Sequence, residues 1–180
     1  MRIIVRFLIV AGLLLVLGTI SAACGGDDEL ADELTLEEFF QQSEAIDDDF
    51  EERLEGVYDG IPDRGEETDE DLQALKAFYA EFSAVYDEFF DQLETLNPPS
   101  EAEDALDELL TVGREIVAFV EEFADRAEGA QSFPELDQLL DETEAESDPI
   151  QEAYQAACRS LQDVADGNGI VAKIQCADDF

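Results

Sequence analysis

From Leu72 to Leu96 the apolar residues recur at alternating intervals of three and four: Leu72, Leu75, Tyr79, Phe82, Tyr86, Phe89, Leu93 and Leu96. This is heptad a/d spacing, and it predicts a helix with one face committed to partner helices. Phe78, Val85 and Phe90 widen the stripe beyond a two-stranded seam, which suits the interior of a bundle. Asn97-Pro98-Pro99 stops the helix, because proline disfavours a helical residue before it and cannot continue the hydrogen-bond ladder. Beyond that break a complementary seam begins: Ala102, Leu106, Leu109, Gly113, Ile116, Val120, Phe123 and Ala127. Each of these two helices is about 28 residues, roughly 42 Å long, and so short a connection forces them antiparallel. Tyr and Phe dominate one seam while Ala102, Gly113 and Ala127 leave room on the other, so large residues are expected opposite small ones.

Each helical segment opens on the same signal. Thr35-Leu36-Glu37-Glu38, Thr68-Asp69-Glu70-Asp71, Ser100-Glu101-Ala102-Glu103 and Ser132-Phe133-Pro134-Glu135 place a hydroxyl at the N-cap and an acid three residues on. The hydroxyl accepts an orphan backbone N–H, and the acid reaches back to the cap. Such boxes ahead of apolar-periodic runs predict four helix starts. The first helix is expected over about Leu36 to Tyr58, burying Leu36, Phe39, Phe40, Ser43, Ile46, Phe50, Leu54 and Val57; Gly60, Pro62 and Gly65 punctuate the loop after it. The fourth is expected from Phe133 to about Asp166. It should kink or briefly break at Ser147-Asp148-Pro149, with Asp148 as a new cap and Pro149 at the first position of the restart. Ile150, Ala153, Tyr154, Ala157, Leu161 and Val164 resume its apolar face. The fold class is all-α, an antiparallel up-and-down four-helix bundle. The extra breadth of the Leu72–Leu96 stripe calls for partner helices from the same chain, so the bundle is expected to be monomeric.

The start of the chain reads differently. Arg2 and Arg6 precede an apolar run from Phe7 to Ile20, and Ser21-Ala22-Ala23 are small residues before a cleavage point. The run is shorter than the span of about 20 residues that a transmembrane helix needs. Ile20-Ser21-Ala22-Ala23-Cys24 resembles the lipobox of bacterial lipoproteins, although Ser21 stands where that family most often has Leu. The resemblance covers about the first 26 residues. It implies that Cys24 is lipidated and becomes the mature N-terminus, and that multiple acyl chains hold the protein on the extracytoplasmic side of a cell membrane. The organisation expected is a signal peptide over 1–23, a lipidated cysteine and acidic tether over 24–33, and the bundle over 34–180. The Leu96-Asn97-Pro98-Pro99 hinge is similar to that of other helical-bundle lipoproteins, a likeness that is silent on activity.

Charge narrows the partners. The 180 residues carry 48 Asp and Glu against 9 Lys and Arg, a formal net charge of −39. Such a surface repels nucleic acid and anionic headgroups. It attracts basic proteins or peptides and loosely held cations, and it keeps the protein soluble. The 46% hydrophobic content with regular spacing argues for a folded core rather than for disorder. The chain has no His, so it lacks the commonest general base and the commonest transition-metal ligand.

Cys158 and Cys176 remain after Cys24. In an exported chain they are expected to form a disulfide. Cys158 falls on the last helix and Cys176 in the tail, so the bridge would close a loop of about 19 residues and contribute about 3 kcal/mol by the chain-entropy model. A redox-active pair would want Cys-x-x-Cys spacing, which is absent.

Little else carries chemistry. The acids of the first loop, Asp59, Asp63, Glu66, Glu67 and Asp69, are the residues a hard cation could use, but no EF-hand spacing is present. A dimetal site of ferritin type needs Glu-x-x-His. No nucleophile elbow and no phosphate loop occurs, so no catalytic residue and no cofactor is assigned. Tyr79 and Tyr86 on the seam read as core aromatics with hydroxyls at the bundle edge, with the lining of a pocket as the alternative. The rare cations are more informative. Arg53 and Arg126 follow Asp49 and Glu122 at i+4, and Arg114 is placed to bridge to a neighbouring helix. The reading is a non-enzymatic binding or structural module of the cell envelope, with a divalent-cation-binding lipoprotein as the alternative.

Overall fold

Four helices and no strand form among the residues that the structure, a computed structural model, describes: 33–61 and 68–172. They are α1 (Leu36–Asp59), α2 (Asp69–Glu94), α3 (Ser100–Gly129) and α4 (Phe133–Gly167). The expected signal peptide, Cys24, the tether up to residue 32, the loop acids Asp63, Glu66 and Glu67, and Cys176 lie outside the described residues.

Contacts along the chain make each helix antiparallel to the next. The start of α1 meets the end of α2, where the Leu34 N–H donates to the Asn97 carbonyl at 3.1 Å. Further along, Arg53 reaches Glu88, and Tyr58 packs against Phe78 and Phe82. Phe90 of α2 lies over Gly113 of α3, and Tyr79 stacks edge-on against Phe123 with ring centroids 4.7 Å apart. Arg126 of α3 pairs with Glu142 near the start of α4.

The apolar faces merge into two cores. The larger one draws on all four helices, including Phe39 and Phe40 of α1, Phe89 and Phe90 of α2, Leu106 and Ile116 of α3, and Tyr154 and Leu161 of α4. The smaller one is built by α2, α3 and α4 with the α3–α4 connection. Leu72, Leu75, Phe123, Ala127, Phe133, Leu136 and Leu139 form it, and no α1 residue belongs to it. The predicted seams are the buried faces, with Tyr79, Phe82, Leu96 and Val120 only partly covered. Large does oppose small: the fully buried Phe90 ring fills the space above Gly113. Ser83 and Val85 are buried as well.

Two of the four capping boxes form. Thr35 with Glu38 and Thr68 with Asp71 satisfy both halves of the motif, and the shorter Asp71 closes its box fully. The box at Ser100 does not form. Pro99 is the N-cap, Ser100 is already helical, and the Ser100 N–H donates to the Glu33 carboxylate at 3.1 Å. Leu34 pairing with Asn97 brings Glu33 there, so a tertiary partner replaces the local cap. At the fourth start Ser132 is the N-cap but makes no side-chain cap bond. The Glu135 carboxylate reaches one residue further back and accepts from the Gln131 N–H at 2.7 Å.

Of the two alternatives for the fourth helix, a kink or a break with restart, the break does not occur. α4 runs 35 residues with Pro149 inside it, so Asp148 is not a cap. Proline removes the bond to the Ala145 carbonyl. Packing on both sides outweighs that loss: Leu136 and Leu139 are buried before it, and Tyr154, Ala157, Cys158 and Leu161 after it. Past α4 the chain turns at Gly169, whose φ of 71° suits glycine alone. The Ile170 N–H then donates to the Ala165 carbonyl, and Ala172 returns to the larger core.

Candidate functional site

The helix lengths create a gap. α1 has 24 residues against 30 in α3 and 35 in α4. At 1.5 Å per residue α1 is roughly 15 Å shorter than α4. Its start is held beside Asn97, so its end falls level with Phe78 and Phe82. Among the described residues three helices build the smaller core and four the larger, and the last turn of α1 reaches the boundary between them through Tyr58 on Phe78 and Phe82.

A groove of about 400 Å³ opens there, between α2 and α4 with α3 as its floor. Tyr79 and Phe82 form one wall, Phe119, Val120 and Phe123 the floor, and Leu140 the opposite wall. Its size falls within the range of about 300–1,000 Å³ usual for ligand pockets. Asp141 and Glu144 stand on the α4 rim with Ser147, and no Lys or Arg lines the groove among the described residues. Thr143 also lines it, but its hydroxyl donates back to the Leu139 and Leu140 carbonyls within α4. The patch continues onto Phe78 and the exposed Tyr58, whose ring lies 6.2 Å from that of Phe82.

The two seam tyrosines part company here. Tyr79 lines the groove, whereas Tyr86 is core, packed on Phe50 and Phe82. Burial pushes the Tyr86 hydroxyl well above the usual tyrosine pKa, with Tyr154 and Tyr58 adding to it. Burial does the same to Tyr154, helped by the negative charge of Asp47 on α1. Neither tyrosine is poised as an acid or base near neutral pH. Phe119, Leu140 and Thr143 escape the seam analysis. Phe119 lies off the a/d register, and its only signal in the sequence is an aromatic residue next to the seam position Val120.

The cations bridge helices. Arg53 turns from its helical neighbour Asp49 to Glu88 of α2, 2.6 Å away; the bond holds Glu88 below the usual carboxylate range and raises Arg53. Arg126 likewise pairs with Glu142 of α4 at 3.1 Å rather than closing on Glu122. Arg114 does bridge, to Asp87 at 3.4 Å, Asp91 at 2.8 Å and Glu94, all on α2. Lys76 donates to the Glu128 carbonyl at the end of α3 at 3.0 Å. Arg159 is exposed above a shallow polar hollow that Glu108 and Asp163 share.

Of the predicted cation ligands only Asp59 and Asp69 fall among the described residues. Asp59 ends α1 and Asp69 begins α2, both exposed, and no cluster of three acidic or cysteine ligands forms among the described residues. Cys158 is fully buried on α4. No helix among the described residues is long and apolar enough to cross a membrane. No protein-family model, curated protein or solved structure matches the chain.

Proposed function

We propose that the protein is a non-enzymatic binding module of the cell envelope, held through a lipid on Cys24 and facing the extracytoplasmic side. The groove between α2 and α4 carries this reading, being an apolar hollow of ligand size that remains open beside two well-filled cores. Among the described residues its polar lining is Tyr79, two carboxylates and two hydroxyls, and the chain has no His. That inventory suits holding an apolar group better than transferring a proton. The lipobox-like Ile20-Ser21-Ala22-Ala23-Cys24 supports the anchor. A Cys158–Cys176 disulfide completes the proposal. The return of Ala172 to the core that contains Cys158 supports it, since only three residues separate Ala172 from Cys176.

The test is uptake of a neutral apolar fluorophore, N-phenyl-1-naphthylamine, by the soluble domain. One saturable site is expected, lost in Val120→Trp, whose indole fills the floor. A wild-type domain that leaves the dye dark would sink the reading. Separately, Cys24→Ser should move the protein from the membrane to the soluble fraction.

A further inference from the structure

Resting on that reading, we infer that the occupant of the groove is a basic amphipathic helix from another protein, laid between α2 and α4 beside the end of α1. The larger core is closed by four helices, and the smaller by three. The groove runs between α2 and α4 over α3 at the boundary of the two cores: Phe82 and Val120 pack against the larger, while Tyr79, Phe123 and Leu140 belong with the smaller. A helix laid there would bury apolar residues on Phe82, Phe119 and Leu140, as amphipathic helices do in hydrophobic grooves.

Charge selects the occupant's other face. Asp141 and Glu144 lie on the rim one helical turn apart, both exposed, and no cation lines the groove among the described residues. The described cations that touch neighbouring helices, Arg53, Lys76, Arg114 and Arg126, already hold partners. An incoming helix with Lys or Arg beside its apolar stripe meets complementary charge. An acidic one meets both the rim and a net charge of −39.

The probe is a fluorescent Leu/Lys peptide of about 18 residues with its leucines on one helical face, titrated in about 0.15 M NaCl. Two controls are a peptide of the same composition with scrambled leucines and a Leu/Glu peptide of the same amphipathicity. One saturable site is expected for the Leu/Lys peptide alone, weakened roughly three- to tenfold by Asp141→Lys with Glu144→Lys and abolished by Val120→Trp. The rim residues are exposed, so their variants fold even if Val120→Trp does not. Equal binding of the scrambled peptide would reduce the effect to charge condensation and overturn the inference. So would equal binding of the Leu/Glu peptide, or a dimer of the protein that Val120→Trp dissolves. If no peptide binds while the naphthylamine still does, this inference falls and the binding-module reading stands.

Discussion

The ring of Phe90 occupies the space in which Gly113 would carry a Cβ. Phe90 is fully exposed to core and not at all to solvent, so the ring has no open side to retreat to. Alanine in place of glycine should stabilise an exposed helix by about 1 kcal/mol. Here overpacking outweighs that gain, and Gly113→Ala is expected to cost about 1–3 kcal/mol in urea unfolding. Phe90→Leu in the same chain should recover part of the loss, which a double-mutant cycle reads as coupling. A more stable Gly113→Ala would mean that the two helices do not meet there.

Arg114 sits among three acids of α2, and Arg53 and Arg126 each face one across a helix pair. All are partly exposed, so each single pair contributes little. Removing Arg114 also leaves Asp87, Asp91 and Glu94 on one face with no cation. Arg114→Met should therefore cost about 1 kcal/mol, more than Arg53→Met or Arg126→Met, and its loss should shrink in molar salt. Thermal melts of the three variants at two salt concentrations check the ranking.

Salt should stabilise the whole fold. With a net charge of −39, repulsion among carboxylates outweighs the few ion pairs. The screening length falls from about 10 Å at 0.1 M to about 3 Å at 1 M. The melting temperature should rise across that range with NaCl alone, and Ca²⁺ at matched ionic strength should add nothing further if no specific cation site exists. A flat profile would remove the argument.

Alkali should act through two tyrosines. Burial raises the folded pKa values of Tyr86 and Tyr154 above the ordinary value near 10. A raised folded pKa gives stability that is complete below the unfolded value and is lost as pH climbs through the folded one. Stability should thus fall from about pH 10 upward, and tyrosinate absorbance from these two residues should appear together with loss of helical circular dichroism. Tyr154→Phe should flatten the decline. On the acid side the sign reverses: bonds to Thr35 and Arg53 lower Glu38 and Glu88, so their contribution is present above the ordinary carboxylate range and fades as pH drops through the lowered values.

How much of this could be read in advance varied with the range of the interaction. The seams of α2 and α3 were legible because burial of a helix face imposes its own period, and Gly113 opposite an aromatic followed from their difference in bulk. The caps at Thr35 and Thr68 are purely local and form as read. The start at Ser100 does not, because Glu33 arrives from a distant part of the chain. A restart at Pro149 does not form for the same reason: the local cost of proline is real, but the residues packed on either side of it are set by the tertiary fold. Arg53 and Arg126 have suitable acids four residues away and choose others across the bundle. The groove depends on how far α1 reaches relative to α4, a difference of length and register that no single segment records. Tyr79 and Phe82 were therefore seen as core, and Phe119 and Leu140 went unremarked.

The bonds from Leu34 to Asn97 and from Ser100 to Glu33 give the bundle a polarity. They fasten the entry of the chain to the turn between α2 and α3. Tyr79 and Phe82 lie 17 and 14 positions back along α2 from Leu96, so the groove stands roughly 20–25 Å further along the bundle. In a chain tethered ahead of Glu33, pulling on the tether loads that turn and spares the smaller core. Under the proposed anchor the mouth of the groove is mechanically uncoupled from the point of attachment, since strain would have to unfasten Glu33 and Leu34 before it reached the groove.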